Sequence, residues 1–275
     1  RFPRFVTNKD INNLTNYKNL DQLIENNFKR RLKGFTKGDF AGQQDIKKAY
    51  HGKKNYTRKE IFKFLKRDEK SFQRIVLFAT HLFADAGHLG GKFLLFKDYY
   101  SQLEETLNYI DKLNDIRTLW VIKPHPSSSS YGEDGIVEEK IRKINKTNII
   151  IYPEQVSLLS FLKASDLLIT GRGNIGLEFA CLGKKPLLAG EGYYTGLGIS
   201  QEPKNKKEYF KIIRKQNSSK LGAKLQKKAK KIMYIVDNII PNTVERGKII
   251  PEKSPDDYRI SANTYFQRLN KNLKN

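Results

Sequence analysis

The sequence predicts an α/β fold, a parallel sheet with helices on both faces. Three observations predict it. Short apolar runs at residues 74–80, 118–124, 148–152, 166–170 and 186–189 alternate with helix-like stretches. Those runs are continuously apolar, as in strands buried on both faces. A glycine-rich turn, Gly171-Arg172-Gly173-Asn174-Ile175-Gly176, joins one such run to a helix-like one, the setting in which backbone amides hold a phosphate.

Taken in order, residues 16–33 carry Leu20, Leu23, Ile24 and Phe28 at helical spacing. The stretch GFTKGDFAGQQDIKKAYHGKKNY is rich in Gly and charge and reads as a loop or linker. Thr57 and Glu60 then have the spacing of a capping box, and Ile61, Phe62 and Leu65 give the helix they open one apolar face. RIVLFAT is the first strand, and Asp98 opens the helix that follows it. TLWVIKP is a strand stopped by Pro124, 133–144 a helix and NIIIY a strand. SLLSFLKAS is a short helix, DLLIT a strand, 174–182 a helix and PLLA a short strand. Basic amphipathic helices follow at 206–215 and 218–236. Three segments are expected: 1–70 as a helical and linker remnant of an N-terminal domain, 71–240 as the nucleotide-sugar-binding domain, and 241–275 as a helical C-terminal extension.

The 275 residues carry a net charge of +23 and 38% hydrophobic side chains, enough for a packed core. The charge draws polyanions, among them acidic headgroups and nucleotide-linked substrates. Lysine is spread along the chain, as on a solvated surface. Cys181 is the single cysteine, in an apolar run, and reads as a buried thiol of a protein kept in a reducing compartment. No apolar run approaches the ~18 residues of a membrane span, and no signal peptide is visible. Without an initiator methionine, the chain is expected to be a fragment.

In a parallel sheet, ligands bind beyond the carboxyl ends of the strands, which selects the loops to inspect. Gly171, Arg172, Gly173 and Asn174 form a cationic turn at a helix N-terminus, suited to phosphate. A dinucleotide such as NAD fits poorly, because the motif follows the fourth strand and lacks an acidic strand end about 20 residues on. Glu178 lies early in the next helix, at hydrogen-bonding reach of ribose hydroxyls or as a plain dipole partner. Lys123, His125 and Pro126 end a buried strand, where an imidazole can donate a hydrogen bond or a proton. His81, Asp85 and His88 follow the first strand. They lack a fourth metal ligand, so no metal is expected, and Asp85 is an acid–base candidate. Gly190 opens a loop whose Tyr193 and Tyr194 either stack on a base or sugar or simply pack.

The order of KPHP, ASDLLIT and GLEFACLGKKPLLAGEGYYTGLG resembles the C-terminal half of GT-B glycosyltransferases, and more narrowly bacterial capsule and surface-polysaccharide biosynthesis proteins. The resemblance covers roughly residues 34–213. It implies a Rossmann-like domain that holds a CMP-, UDP- or GDP-linked sugar and transfers it to a glycan or lipid-linked acceptor. It places His125 and Pro126 near the donor phosphate, Gly171–Asn174 facing the phosphates, Glu178 on the ribose, and the loop from Gly190 to Gly198 over the donor. No cofactor is implied. The expected location is the cytoplasm, with lysine-mediated attachment to the inner face of the cell membrane. About 70 residues precede the sheet, too few for a full acceptor domain, so the catalytic base is open. A sugar-nucleotide epimerase of the same architecture is the alternative. A non-catalytic nucleic-acid binder is the other, but the basic helices at 206–231 carry few of the interleaved aromatics it needs.

Overall fold

The computed structural model describes residues 5–16, 19–35, 40–85, 93–215 and 220–239. Five parallel strands form one sheet: β1 (Arg74–Ala79), β2 (Thr118–Lys123), β3 (Ile149–Ile151), β4 (Leu167–Thr170) and β5 (Leu187–Leu188). Their order is β3-β2-β1-β4-β5. The chain builds outward from β1 to β3, then returns to lay β4 on the other side of β1. That reversal opens a crevice at the carboxyl ends of β1 and β4, where doubly wound sheets bind ligands.

Helices α1 (Asn8–Asn12), α2 (Leu20–Arg31), α3 (Phe40–Tyr50) and α4 (Arg58–Phe64) precede the sheet. Within and after it come α5 (Tyr99–Leu113), α6 (Ile136–Ile144), α7 (Leu158–Ala164), α8 (Asn174–Cys181), α9 (Lys206–Lys215) and α10 (Ala223–Tyr234). Residues 235–239 continue α10 as a π-helical turn.

Successive strand side chains point to opposite faces. Val76, Phe78, Trp120, Ile122, Leu167 and Ile169 pack with Leu103, Leu107 and Ile110 of α5 and Tyr209 and Ile213 of α9. Ile75, Leu77, Leu119, Val121 and Leu168 pack on the other face with Phe161 and Leu162 of α7 and Ile61 and Phe62 of α4. A third cluster joins Leu177 and Ala180 of α8 to Ile232 of α10, Ile11 of α1 and Phe28 of α2. Among the described residues, the N-terminal helices are therefore packed on the sheet unit.

The caps read from sequence are present. The Thr57 side chain accepts from the Glu60 amide, and the Glu60 carboxylate takes the Thr57 amide at 2.7 Å. Asp98 accepts the Ser101 amide at 2.7 Å and starts α5. Several boundaries differ, and the basic helix expected from 218 begins at Ala223, after its N-cap Gly222. The stretch expected to be a linker contains α3, 11 residues long. Local signals are weak there, and burial of Ile46, Ala49 and Tyr50 along one face supplies the stability instead. Helix α6 starts at Ile136 rather than at 133, because Gly135 sits at φ 77 and breaks the helical path. His88 and residues 241–275 lie outside the described residues. Among the described residues, no helix is long and apolar enough to cross a membrane.

Candidate functional site

The carboxyl end of β2 delivers Lys123 and His125. Lys123 is 8% exposed, and its ammonium donates to the Pro124 carbonyl at 3.2 Å and sits 5.4 Å above the Tyr152 ring. Among the described residues, no carboxylate lies within ion-pair distance of it. Burial, and next the Lys53 cation, push its pKa down to about 8. A buried ammonium without a counter-ion is costly, and an anion placed beside it offsets that cost.

His125 accepts the Ser127 amide on Nδ1 at 3.2 Å, which leaves the ring proton on Nε2. Nε2 faces the Asp45 carboxylate at 4.0 Å. Burial first, then His81 and Lys123, lower its pKa to about 3. The ring is therefore neutral at physiological pH and acts there as an N–H donor. A histidine with a depressed folded pKa withholds protons that the unfolded chain binds, so its share of stability is complete above the unfolded value near 6.5 and is lost as pH falls toward 3. Urea titrations of the wild type and His125→Gln across that window are expected to differ in slope, the variant's being flatter.

At the end of β1, His81 stacks on Tyr99 at 4.1 Å and 10°, and its ring centre lies 5.9 Å from that of His125. Asp85 stands 3.1 Å from His81 Nδ1, and the nearby imidazole holds its carboxyl below the ordinary range. Arg172 donates from Nε to the Tyr99 hydroxyl and lies 5.6 Å from the centre of that ring. A continuous row of contacts thus runs Arg172–Tyr99–His81–His125–Asp45 across the ends of three strands. Among the described residues, no three His, Cys, Asp or Glu side chains cluster as metal ligands do.

The turn from β4 to α8 uses its glycines for space. None of Gly171, Gly173 and Gly176 takes a positive φ. A Cβ on Gly171 would meet the Tyr99 ring at 2.8 Å, and one on Gly176 would meet the Tyr194 hydroxyl at 2.1 Å. Tyr194 donates to the Gly173 carbonyl at 2.9 Å, and Tyr193 donates to Asn174 Oδ1 at 2.7 Å. Both rings are buried, at 0% and 6% exposure, so of the two readings for these tyrosines the structure takes packing: they brace the turn from behind. Gly190 is crowded by Leu94 and accepts no side chain, and its amide donates to the Gly171 carbonyl at 3.0 Å. Gly176→Ala is expected to cost about 1–3 kcal/mol by overpacking. Gly173→Ala, whose nearest new contact is Thr170 Oγ1 at 3.3 Å, is expected to cost less. Thermal unfolding of the pair checks the ranking.

Gly173 is the N-cap of α8 and supplies no side-chain acceptor, so the positive end of that helix is left to face the crevice. Glu178, one turn on, is 3% exposed. One of its oxygens accepts from Arg31 Nε at 2.8 Å and the other from the Tyr50 hydroxyl. Arg31 also donates to Asp237 at 2.8 Å. Burial opposes the charge on Arg31, and Asp237 and Glu178 more than offset it, so its pKa is raised. The sole cysteine, Cys181, is buried in this neighbourhood, and burial pushes its thiol pKa up.

Two adjoining chambers share the wall Lys123–Pro126. The smaller, of about 130 Å³, lies over β1, β2 and β4. Of the residues expected at the site, Lys123, His125, Pro126, Gly173, Asn174 and Glu178 line it. The larger, of about 580 Å³, opens past β2 and β3. Asp85, Gly171, Arg172, Gly190, Tyr193 and Tyr194 line neither. Arg172 and Asp85 reach the site through Tyr99 and His81, and the other four support it. Asp45, Arg31, Tyr50 and Lys48 belong to the site and escaped the sequence reading. All but Arg31 sit on α3, whose apolar Ile46, Ala49 and Tyr50 at i, i+3, i+4 were the legible signal.

A family model described as capsule polysaccharide biosynthesis protein matches residues 6–236. No curated protein matches the chain. Among solved structures, KpsC of Thermosulfurimonas dismutans, a beta Kdo 2,4 transferase, aligns with 82% of this chain and 56% of its own, at 12% identity and a TM-score of 0.39. A Listeria monocytogenes protein provisionally assigned as a UDP-N-acetylglucosamine 2-epimerase aligns with 77% of this chain and 54% of its own, at 16% identity and a TM-score of 0.40. The chain spans about half the length of these two structures.

Proposed function

The chain belongs to the capsule polysaccharide biosynthesis protein family, and from that premise we propose that it carries the donor site of a glycosyltransferase acting on a nucleotide-activated sugar. One observation carries the reading. The buried Lys123, whose ammonium has no carboxylate within ion-pair distance among the described residues, the neutral imidazole of His125 and the uncapped N-terminus of α8 all line one small chamber at the strand reversal. Each favours an anion, and together they suit the phosphate of a donor.

Transfer breaks the bond between the anomeric carbon and the phosphate oxygen, and the electron pair goes to that oxygen. Lys123, the Nε2–H of His125 and the amide end of α8 stabilise the developing charge. The acceptor hydroxyl loses its proton as it attacks the anomeric carbon. Asp45, in the chamber wall and facing His125, is placed to take that proton. Asp85 is held to His81 and tunes the row of rings from behind. The donor base (cytosine, uracil or guanine), the glycan or lipid-linked acceptor and attachment to the inner membrane face belong to this same proposal.

Calorimetry with inorganic pyrophosphate, CMP, UDP, GDP and DNA tests it. A single nucleotide is expected to bind, with affinity falling as pH rises through 8 and Lys123 loses its charge. DNA binding with a steep salt dependence and no nucleotide binding would replace this reading with that of a nucleic-acid binder. Product analysis with the matching sugar nucleotide separates transfer from epimerisation. Asp45→Asn is expected to retain donor affinity and to slow transfer at least about tenfold.

A further inference from the structure

We propose that the larger chamber is a saccharide-ring subsite in which Glu133 accepts a ligand hydroxyl. This rests on the donor-site reading above for its neighbour, the smaller chamber. Glu133 is 6% exposed and lines the 580 Å³ chamber. Its Oε1 accepts the Ala84 amide at 2.8 Å, while its Oε2 is buried with no hydrogen-bond partner among the described residues. A carboxylate oxygen taken out of water and given no donor carries a penalty that native structures rarely leave unexplained. The backbone holds it there. Gly135 delays the start of α6, and the Glu133 amide is pinned to the Ser128 carbonyl at 3.0 Å. A side-chain turn within the wall would bring Oε2 to a ring lodged in the chamber.

The rest of the lining points to the class of ligand. Donors (Lys48, Lys53) and acceptors (Asp134, Glu138, Glu154) both line the chamber, a mixture that suits a ring bearing several hydroxyls. The Tyr152 ring in the wall is 3% exposed and lies under the Lys123 ammonium, so it offers no open face for stacking. Glu178, the carboxylate that the family resemblance assigns to a ribose, has both oxygens engaged by Arg31 and Tyr50. Glu133 has an acceptor to spare. A ring seated there lies against the same Lys123–Pro126 wall as the anion. The ring belongs either to the donor's ribose or to the glycan acceptor.

Glu133→Gln tests this. The amide oxygen still accepts from Ala84, and the second position becomes a donor, so a purely structural role is preserved and hydroxyl acceptance is lost. The probes are inorganic pyrophosphate, CMP, UDP, GDP, their free nucleosides, N-acetylglucosamine, glucuronic acid and N-acetylneuraminic acid. Binding is read by saturation-transfer NMR and calorimetry. The variant is expected to bind at least one ring-bearing probe about tenfold or more weakly, with pyrophosphate unchanged. Loss confined to nucleosides and nucleotides identifies the ribose, and loss confined to the sugars identifies the acceptor. Ser128→Trp, which fills the chamber from its rim, is expected to show the same selective loss and serves if Glu133→Gln misfolds. Ring-bearing probes that bind both variants as they bind the wild type overturn the subsite. So does pyrophosphate binding to a wild type that binds no ring. Failure of pyrophosphate as well overturns the donor site with it.

Discussion

Lys123→Met is expected to weaken binding of pyrophosphate and of the cognate nucleotide about 100-fold, while making the ligand-free protein more stable. The two effects have one cause. Lys123 is buried, and the direct partners of its ammonium are a carbonyl at 3.2 Å and a ring face. Methionine ends one atom short of the ammonium and fills most of the same space without a charge to desolvate. Replacing buried charge by apolar groups of similar volume stabilises proteins by up to about 1–4 kcal/mol. Loss of one charged contact to a buried phosphate costs about 2–5 kcal/mol of binding, which the 100-fold figure represents.

The sign of the pH dependence follows. A lysine whose folded pKa is lowered to about 8 binds fewer protons folded than unfolded between pH 8 and its ordinary 10.5. Wild-type stability should therefore gain from this group as pH rises across that window, and the gain should be absent from Lys123→Met. Denaturant titrations from pH 7 to 10 read the slope, and calorimetry at pH 7 reads the affinity. A variant that is less stable than the wild type and still binds pyrophosphate normally would show that Lys123 is a packing residue.

Arg31→Ala is expected to destabilise the fold by about 3–5 kcal/mol, because it strands two buried carboxylates. Arg31 holds Glu178 and Asp237 at 2.8 Å each, and all three side chains are 5% exposed or less. Asn27 adds a 3.0 Å bond to Asp237, which cannot replace the lost charge. The network ties α2 to α8 and to the π-helical turn after α10, so its loss also frees Glu178 at the chamber wall. Arg31→Lys is expected to recover part of the loss, since an ammonium cannot present two nitrogens in a planar fork. Adding Glu178→Gln and Asp237→Asn to Arg31→Ala is expected to restore stability in a non-additive way, because neutral amides no longer need the cation. Urea midpoints measure all three. A midpoint shift for Arg31→Ala worth less than about 1 kcal/mol would mean that the carboxylates find other partners.

The sheet was legible in the residues themselves. RIVLFAT, TLWVIKP and DLLIT lack polar alternation, and only a strand covered on both faces tolerates that, so α/β class and parallel pairing followed. The rule that ligands meet the carboxyl edge of such a sheet then selected Lys123, His125, Pro126, Gly173, Asn174 and Glu178, which line one chamber. Local pattern also marked the caps at Thr57 and Asp98, because a cap is a contact between residues three apart.

What only the tertiary structure decided concerns partners distant in the chain. Glu178 is engaged by Arg31, 147 residues away, and by Tyr50, 128 away. Asp45 reaches the site because α3 is stabilised by burial of Ile46, Ala49 and Tyr50, with little local signal of its own. Tyr193 and Tyr194 turn inward because the glycines of the facing turn leave room for them. Sequence periodicity reports which face of an element is buried, and which residue stands opposite that face is settled only when the elements pack.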